Sequence, residues 1–183
     1  MNQKSIGLIE LSSIAAGFLV ADTMLKAGNV SLLLSRSICS GKFMVLIGGE
    51  TAAVASAVAA GAEAAEGSLI DQFVIPNVHP DVFAALARTA PIETQGALGV
   101  LEAFSVASLL QAADAAAKAA AVTLVEIRLA MALGGKAFVT MTGDVASVQA
   151  AVSAGRQVIS EAGLLVNAVV ISRPHPDVYR EMI

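Results

Sequence analysis

The chain has 183 residues, 56% of them hydrophobic and only 14% charged, with a formal net charge of −4, one Tyr, no Trp and one Cys. A mean hydropathy of +0.76 rules out disorder, and an acidic chain with no basic run and almost no aromatic platform argues against a nucleic-acid partner. One cysteine excludes an intrachain disulfide. The apolar runs are interrupted by Glu10, Asp22, Glu63 and Glu66 before they reach the ~20 residues of a membrane span, so no membrane partner is expected.

In chain order, Ile6 to Leu11 reads as a short apolar strand without the long apolar region and small-residue cleavage site of a secretory leader. Ser13 suits the N-cap of a helix whose apolar Ile14, Phe18 and Leu25 fall near helical spacing, and Gly28-Asn29 suits its stop. Val30 to Leu34 and Phe43 to Ile47 read as two strands around a tight loop, with Cys39 between small polar residues at its tip. A second helix starts near Glu50-Thr51 and ends at Gly67, and Leu69 to Ile75 is a last strand before a proline-marked turn and a short helical tail. The apolar excess is largely alanine, in stretches such as Ala52 to Ala65 and Ala112 to Ala121. Small residues let helices and subunits approach closely, so extensive contact between subunits is expected.

The second half repeats the first. Ile6-Gly7-Leu8-Ile9-Glu10 returns as Leu98-Gly99-Val100-Leu101-Glu102, and Ser13, Asp22, Lys26 and Leu32 return as Ser105, Asp114, Lys118 and Leu124, all 92 residues later. Lys42 and Gly49 return 94 residues later as Lys136 and Gly143, and His79-Pro80-Asp81-Val82 returns unchanged 96 residues later as His175-Pro176-Asp177-Val178. Such ordered self-similarity marks a duplication, with residues 4–87 and 96–183 as the two domains and Arg88 to Gln95 as their linker. Each half then runs β-α-β-β-α-β plus a tail, an α+β arrangement of the ferredoxin-like kind, its antiparallel sheet covered by helices.

The residues leave several roles open. Cys39 can be an inert packed thiol, and one thiol holds a metal only if several copies of the chain meet there. A catalytic role needs an adjacent base, and both histidines lie instead in the repeated His-Pro-Asp-Val turns, which suit a structural part. Lys26 and Lys118 serve equally as solvated lysines at a helix end. Gly41, Gly134 and Gly135 suit tight turns, since no strand-loop-helix pattern of a phosphate loop surrounds them.

With the repeated Gly-x-[Ile/Leu]-Glu opening, the Asp-x-x-x-Lys helices (Asp22 to Lys26, Asp114 to Lys118), Gly134-Gly135-Lys136 and Arg173-Pro174-His175, each half resembles the shell domain of bacterial microcompartments. The whole chain resembles their tandem-domain shell proteins. The first half departs from the last mark, reading Pro76-Asn77-Val78-His79. The resemblance implies a homotrimer imitating a hexamer, with Lys26, Lys118 and Arg173 at the tile edge facing other shell proteins. It implies a structural protein, not an enzyme, located in a shell within the cytoplasm.

The loop Ile38-Cys39-Ser40-Gly41-Lys42-Phe43 further resembles the iron–sulfur-carrying tandem type of propanediol-utilising compartments, whose first-half loop lines the three-fold axis. That resemblance implies Ser37, Ile38, Ser40 and Gly41 as pore-loop residues and Cys39 as metal ligand. Three such thiolates would hold one [4Fe–4S] cluster per trimer, for electron transfer to an encapsulated or cytosolic redox protein. The matching second-half loop, Met131 to Gly135, has no thiol. Two alternatives stand beside this reading: a tile with an open pore for small metabolites, and a trimeric cytosolic ferredoxin-like binding protein.

Overall fold

The computed structural model describes residues 4–90, 96–130 and 133–180, so residues 91–95 of the expected linker and Met131-Ala132 of the second loop lie outside the described residues. The chain forms two compact units that divide between Val78 and His79. The first contains β1 (Ser5–Leu11), α1 (Ile14–Ala27), β2 (Val30–Ile38), β3 (Lys42–Gly49), α2 (Thr51–Ala64) and β4 (Leu69–Ile75). The second contains α3 (Pro80–Ala87), β5 (Ala97–Ala103), α4 (Val106–Ala119), β6 (Thr123–Leu129), β7 (Ala137–Gly143), α5 (Val145–Glu161), β8 (Leu165–Ile171) and α6 (Pro176–Arg180). In sequence α3 follows the first repeat's last strand. In space it packs on β6 and α4 of the second unit.

Both units carry one four-stranded antiparallel sheet, ordered β2-β3-β1-β4 and β6-β7-β5-β8. Even the irregularities repeat: the register shifts between Glu10 and Leu11 as between Glu102 and Ala103, and between Leu32 and Leu34 as between Leu124 and Glu126. The duplication read from the sequence is therefore also a duplication of the bends in the sheet.

The glycine in each opening strand has a steric cause. A Cβ on Gly7 would lie 2.5 Å from Val58 and 2.7 Å from Val54 of α2, and one on Gly99 would lie 2.7 Å from Val152 of α5. Each second helix thus rests directly on its strand. The first unit's helix-side core follows from this approach: Ile9, Leu11, Val45 and Ile47 of the sheet against Val20, Met24, Val54 and Val58 of the helices. Gly155 allows an equally close contact between helices, since a Cβ there would sit 2.9 Å from the Ala112 carbonyl oxygen.

The serine caps are present: the Ser13 and Ser105 hydroxyls accept hydrogen bonds from the Ala16 and Ser108 N–H groups. The structure adds a third, Asp144, which caps α5 through the Ser147 N–H. Hydrogen bonds from the Ser147 hydroxyl and N–H hold the Asp144 carboxyl below its ordinary value. Three local expectations change. Strand β2 runs on to Ile38, because Ser35, Arg36 and Ser37 pair with Val45, Met44 and Phe43 in an edge strand that tolerates polar residues. Gly28 ends α1 in extended rather than left-handed backbone, and a Cβ there would meet the Ala53 carbonyl oxygen at 2.8 Å. Ile14, Phe18 and Leu25, the stripe that announces α1, are exposed, and the helix buries Gly17, Val20, Ala21 and Met24 instead.

One ion pair braces the β2–β3 hairpin. Lys42 Nζ lies 2.8 Å from Oε1 of Glu10, and the repeat reproduces the contact as Lys136 to Glu102 at 2.7 Å. Glu10 is the more deeply enclosed carboxylate, with 4% of its side chain exposed against 30% for Glu102. Removing the partner of an enclosed charge leaves it desolvated and uncompensated. Lys42→Ala is therefore expected to lower the midpoint of chemical denaturation more than Lys136→Ala does. Gly155→Ala gains up to about 1 kcal/mol of helix propensity, yet overpacking against a fixed carbonyl costs about 1–3 kcal/mol. A net loss of stability is expected in the same measurement.

Candidate functional site

The turn between β2 and β3 is three residues long, Cys39–Gly41, wound as a single 3-10 turn. Its sharpness comes from Gly41, whose φ of +73° lies in the left-handed region while the space around its Cα is open. Glycine is needed there for the backbone angle and not for room. Cys39 is half-buried at the start of this turn, Ile38 before it is buried, and Ser37 and Gly41 are exposed. Of the four expected loop residues, Ser37 and Ile38 thus close the strand, and Ser40 and Gly41 belong to the turn. The buried Ile38 and the Glu10–Lys42 pair anchor the base from which the thiol projects.

Glu10 and Lys42 escape a reading by local motif because 32 residues separate them. The signal was nonetheless present, since both return together in the second repeat as Glu102 and Lys136. In that repeat Gly134 and Gly135 adopt φ of +62° and +87°, again in open space, and the turn leads into Lys136. The glycines there serve the backbone, as in the first hairpin.

Among the described residues, no group of three or more His, Cys, Asp and Glu side chains lies close enough to share a metal ion. Cys39 supplies one soft donor of the kind that iron and zinc centres use, so a metal centre here needs donors beyond those that the described residues of one chain bring together. The two histidines are occupied as helix caps: Nδ1 of His79 accepts from the Asp81 N–H at 3.3 Å, and Nδ1 of His175 from the Asp177 N–H at 3.3 Å. Lys26 is an exposed lysine 2.6 Å from Asp22 one helical turn earlier, and Lys118 holds Asp114 at the same distance. Arg173 is exposed beyond β8. A shallow groove of about 310 Å³ between α2 and β4 is lined by Ala55, Val58, Ala59, Phe73, Val74 and Gln72. Its single polar side chain is less than a substrate site needs to orient a reacting group.

Over residues 5–78 and 97–174 the chain matches the BMC domain. It is 42% identical over 180 residues to the bacterial microcompartment shell protein PduT of Citrobacter freundii, a match covering 98% of each chain. The shell protein PduA of Citrobacter freundii is 38% identical over 90 residues, which are 48% of this chain and 97% of PduA. The crystal structure of a microcompartment protein from Desulfitobacterium hafniense DCB superposes with a TM-score of 0.91 at 53% identity, covering 96% of this chain and 98% of that one. The fused permuted hexameric shell protein MSM0275 of the RMM microcompartment shares the fold, with a TM-score of 0.62 at 23% identity over 85% of this chain and 81% of that one. Since the two BMC domains fall on the two repeats and the likeness to a shell protein runs the full length, the chain belongs to the BMC-domain shell proteins of bacterial microcompartments, as a structural component with two such domains and not an enzyme.

Proposed function

We propose that three copies of the chain form a pseudo-hexameric tile of a microcompartment shell in the cytoplasm, and that their β2–β3 turns meet at the three-fold axis. There Cys39 of each copy would hold one [4Fe–4S] cluster, so that the tile passes electrons across the shell. The observation that carries this reading is the difference between the two hairpins. Each is braced by the same Glu–Lys pair, but only the first projects a thiol, half-buried on a three-residue turn. Three copies then offer three thiolates, which leaves one iron of such a cluster to a ligand from elsewhere.

The chain's own residues supply the mounting. Gly41 reverses the backbone within one residue, buried Ile38 pins the end of β2, and Lys42 holds β3 to Glu10, so Cys39 is presented from a braced support. A bound cluster would supply one-electron redox chemistry at the pore. The closed pore would at the same time retain small reactive intermediates, and an encapsulated or cytosolic redox protein would take the electron. Lys26, Lys118 and Arg173 would meet neighbouring tiles and other shell proteins at the edge.

The test is iron and sulfide content per trimer, with electron paramagnetic resonance before and after dithionite, on protein purified without oxygen. About four of each per trimer and a reducible signal are expected, and Cys39→Ser should lose both while keeping its molar mass in solution. Full iron retention by Cys39→Ser would remove the ligand assignment. Absence of metal after anaerobic reconstitution would favour an open, thiol-lined pore for small metabolites. The tile itself is tested by electron microscopy of concentrated protein with other shell proteins. Flat arrays or closed shells are expected from the wild type and not from the Lys26→Asp, Lys118→Asp double variant. A trimer that never joined such sheets would favour the cytosolic binding protein.

A further inference from the structure

The second repeat holds a charged group that the first does not. Met141 of β7 lies with Gly99 against α5. Alternation therefore turns Thr140, and Glu126 opposite it on β6, to the other face of the sheet, where Arg128 stands opposite Phe138. At the same places the first repeat has Leu34 opposite Leu46 and Arg36 opposite Met44. Glu126 is 6% exposed. Its Oε1 lies 2.7 Å from Nε of Arg128 and 3.4 Å from Nε of Arg88.

Both guanidiniums are held in place. Arg128 lies over the Phe138 ring, 5.7 Å from its centroid, which sets its plane. Arg88 ends α3 with a φ of +55°, its N–H donating to the Ala85 carbonyl at 3.3 Å. Glycine ends a helix this way without strain, so the arginine is explained by its side chain and not by its backbone. One arginine is enough to neutralise one buried carboxylate, and the second leaves a surplus of one positive charge. Each ion pair is made through Nε, which leaves the terminal N–H groups of both forks for another acceptor. Among the described residues no second carboxylate pairs with either arginine, and solvent reaches both, their side chains being 61% and 37% exposed. In the same row the buried Thr140 hydroxyl has no partner among the described residues, so a further donor stands beside Glu126.

We propose that Arg88 and Arg128 form a binding site for a small organic acid in its carboxylate form, with Glu126 as the strut that holds both forks. A planar carboxylate matches the guanidinium fork and takes two parallel N–H bonds from one arginine and a charged contact from the other. Its single charge cancels the surplus. A phosphate dianion would exceed the surplus and meet Glu126 as a like charge. Each chain carries the site once, because the first repeat has leucines in place of Glu126 and Thr140. The site depends neither on the cluster nor on association between copies.

The test is saturation-transfer NMR of the acetate methyl protons on the full-length protein, at constant ionic strength and a mildly alkaline pH where phosphate is a dianion. Formate and inorganic phosphate serve as competitors. The wild type is expected to transfer saturation to acetate, and formate to displace acetate at lower concentration than phosphate does. Arg88→Gln and Arg128→Gln each remove the surplus and should weaken acetate binding about tenfold, with circular dichroism unchanged. Glu126→Gln doubles the surplus and should reverse the preference, phosphate then displacing acetate before formate. No transfer to acetate on the wild type would overturn the site. Equal transfer on both arginine variants would do the same, marking acetate as bound adventitiously elsewhere. Phosphate preferred by the wild type, or an unchanged preference in Glu126→Gln, would overturn the assignment to a carboxylate. Transfer seen only once copies are diluted apart would assign the arginines to a carboxylate of another copy and end the proposal. Iron content and shell assembly are untouched by any of these results.

Discussion

Each second helix lies on its opening strand at a distance that only glycine permits. With a side chain on Gly7 or Gly99 the helix would have to lift off the sheet, and the valines that lock the two layers would separate. The approach sets the depth of the first unit's helix-side core, and strand pairing places β1 and β5 in the interior of their sheets. Glu10 and Glu102 sit on those central strands, so the carboxylates that hold Lys42 and Lys136 are set by the same packing. The turn that carries Cys39 is therefore braced by a chain of contacts that begins at a missing Cβ.

Duplication gives this protein two near-identical frames, and its special features come from where the copies differ. One hairpin carries a thiol and the other carries two left-handed glycines. One helix–strand face is covered by α3, while its twin keeps phenylalanine and leucines on the outside. A single-domain shell protein repeated around a ring must place every chemical group six times. A tandem chain can place a group three times and leave the alternate positions blank. That freedom is what allows three thiols, and not six, to face one axis in the proposed tile.

The surplus apolar character has two separate sources. Much of the alanine is internal to the units, where α4 and α5 approach closely enough for Gly155 to meet the Ala112 carbonyl. The large exposed side chains of α1 are a different matter, since only Phe18 among them packs a ring against the sheet, at 5.3 Å from Phe43 of β3, and all of them leave much of their surface outside. They make a surface suited to burial against another protein.

The sequence by itself determined the duplication, the order of strands and helices, and the bounds of β4, because that strand is a short apolar run between turn residues. It also determined the Ser13 and Ser105 caps, which depend on contacts three residues away. The tertiary structure decided what depends on distant partners. Whether Ser35, Arg36 and Ser37 are loop or strand turns on pairing with β3, and local polarity cannot report that. Whether Gly28 serves a left-handed turn or a close approach turns on where Ala53 lies. The Glu10–Lys42 pair joins residues that only the sheet brings together. Finally, periodicity announces that α1 has an apolar stripe but cannot say which neighbour it faces. A stripe that packs on its own sheet and one left at the surface have the same spacing, and only the observed exposure of Phe18 and Leu25 separates them.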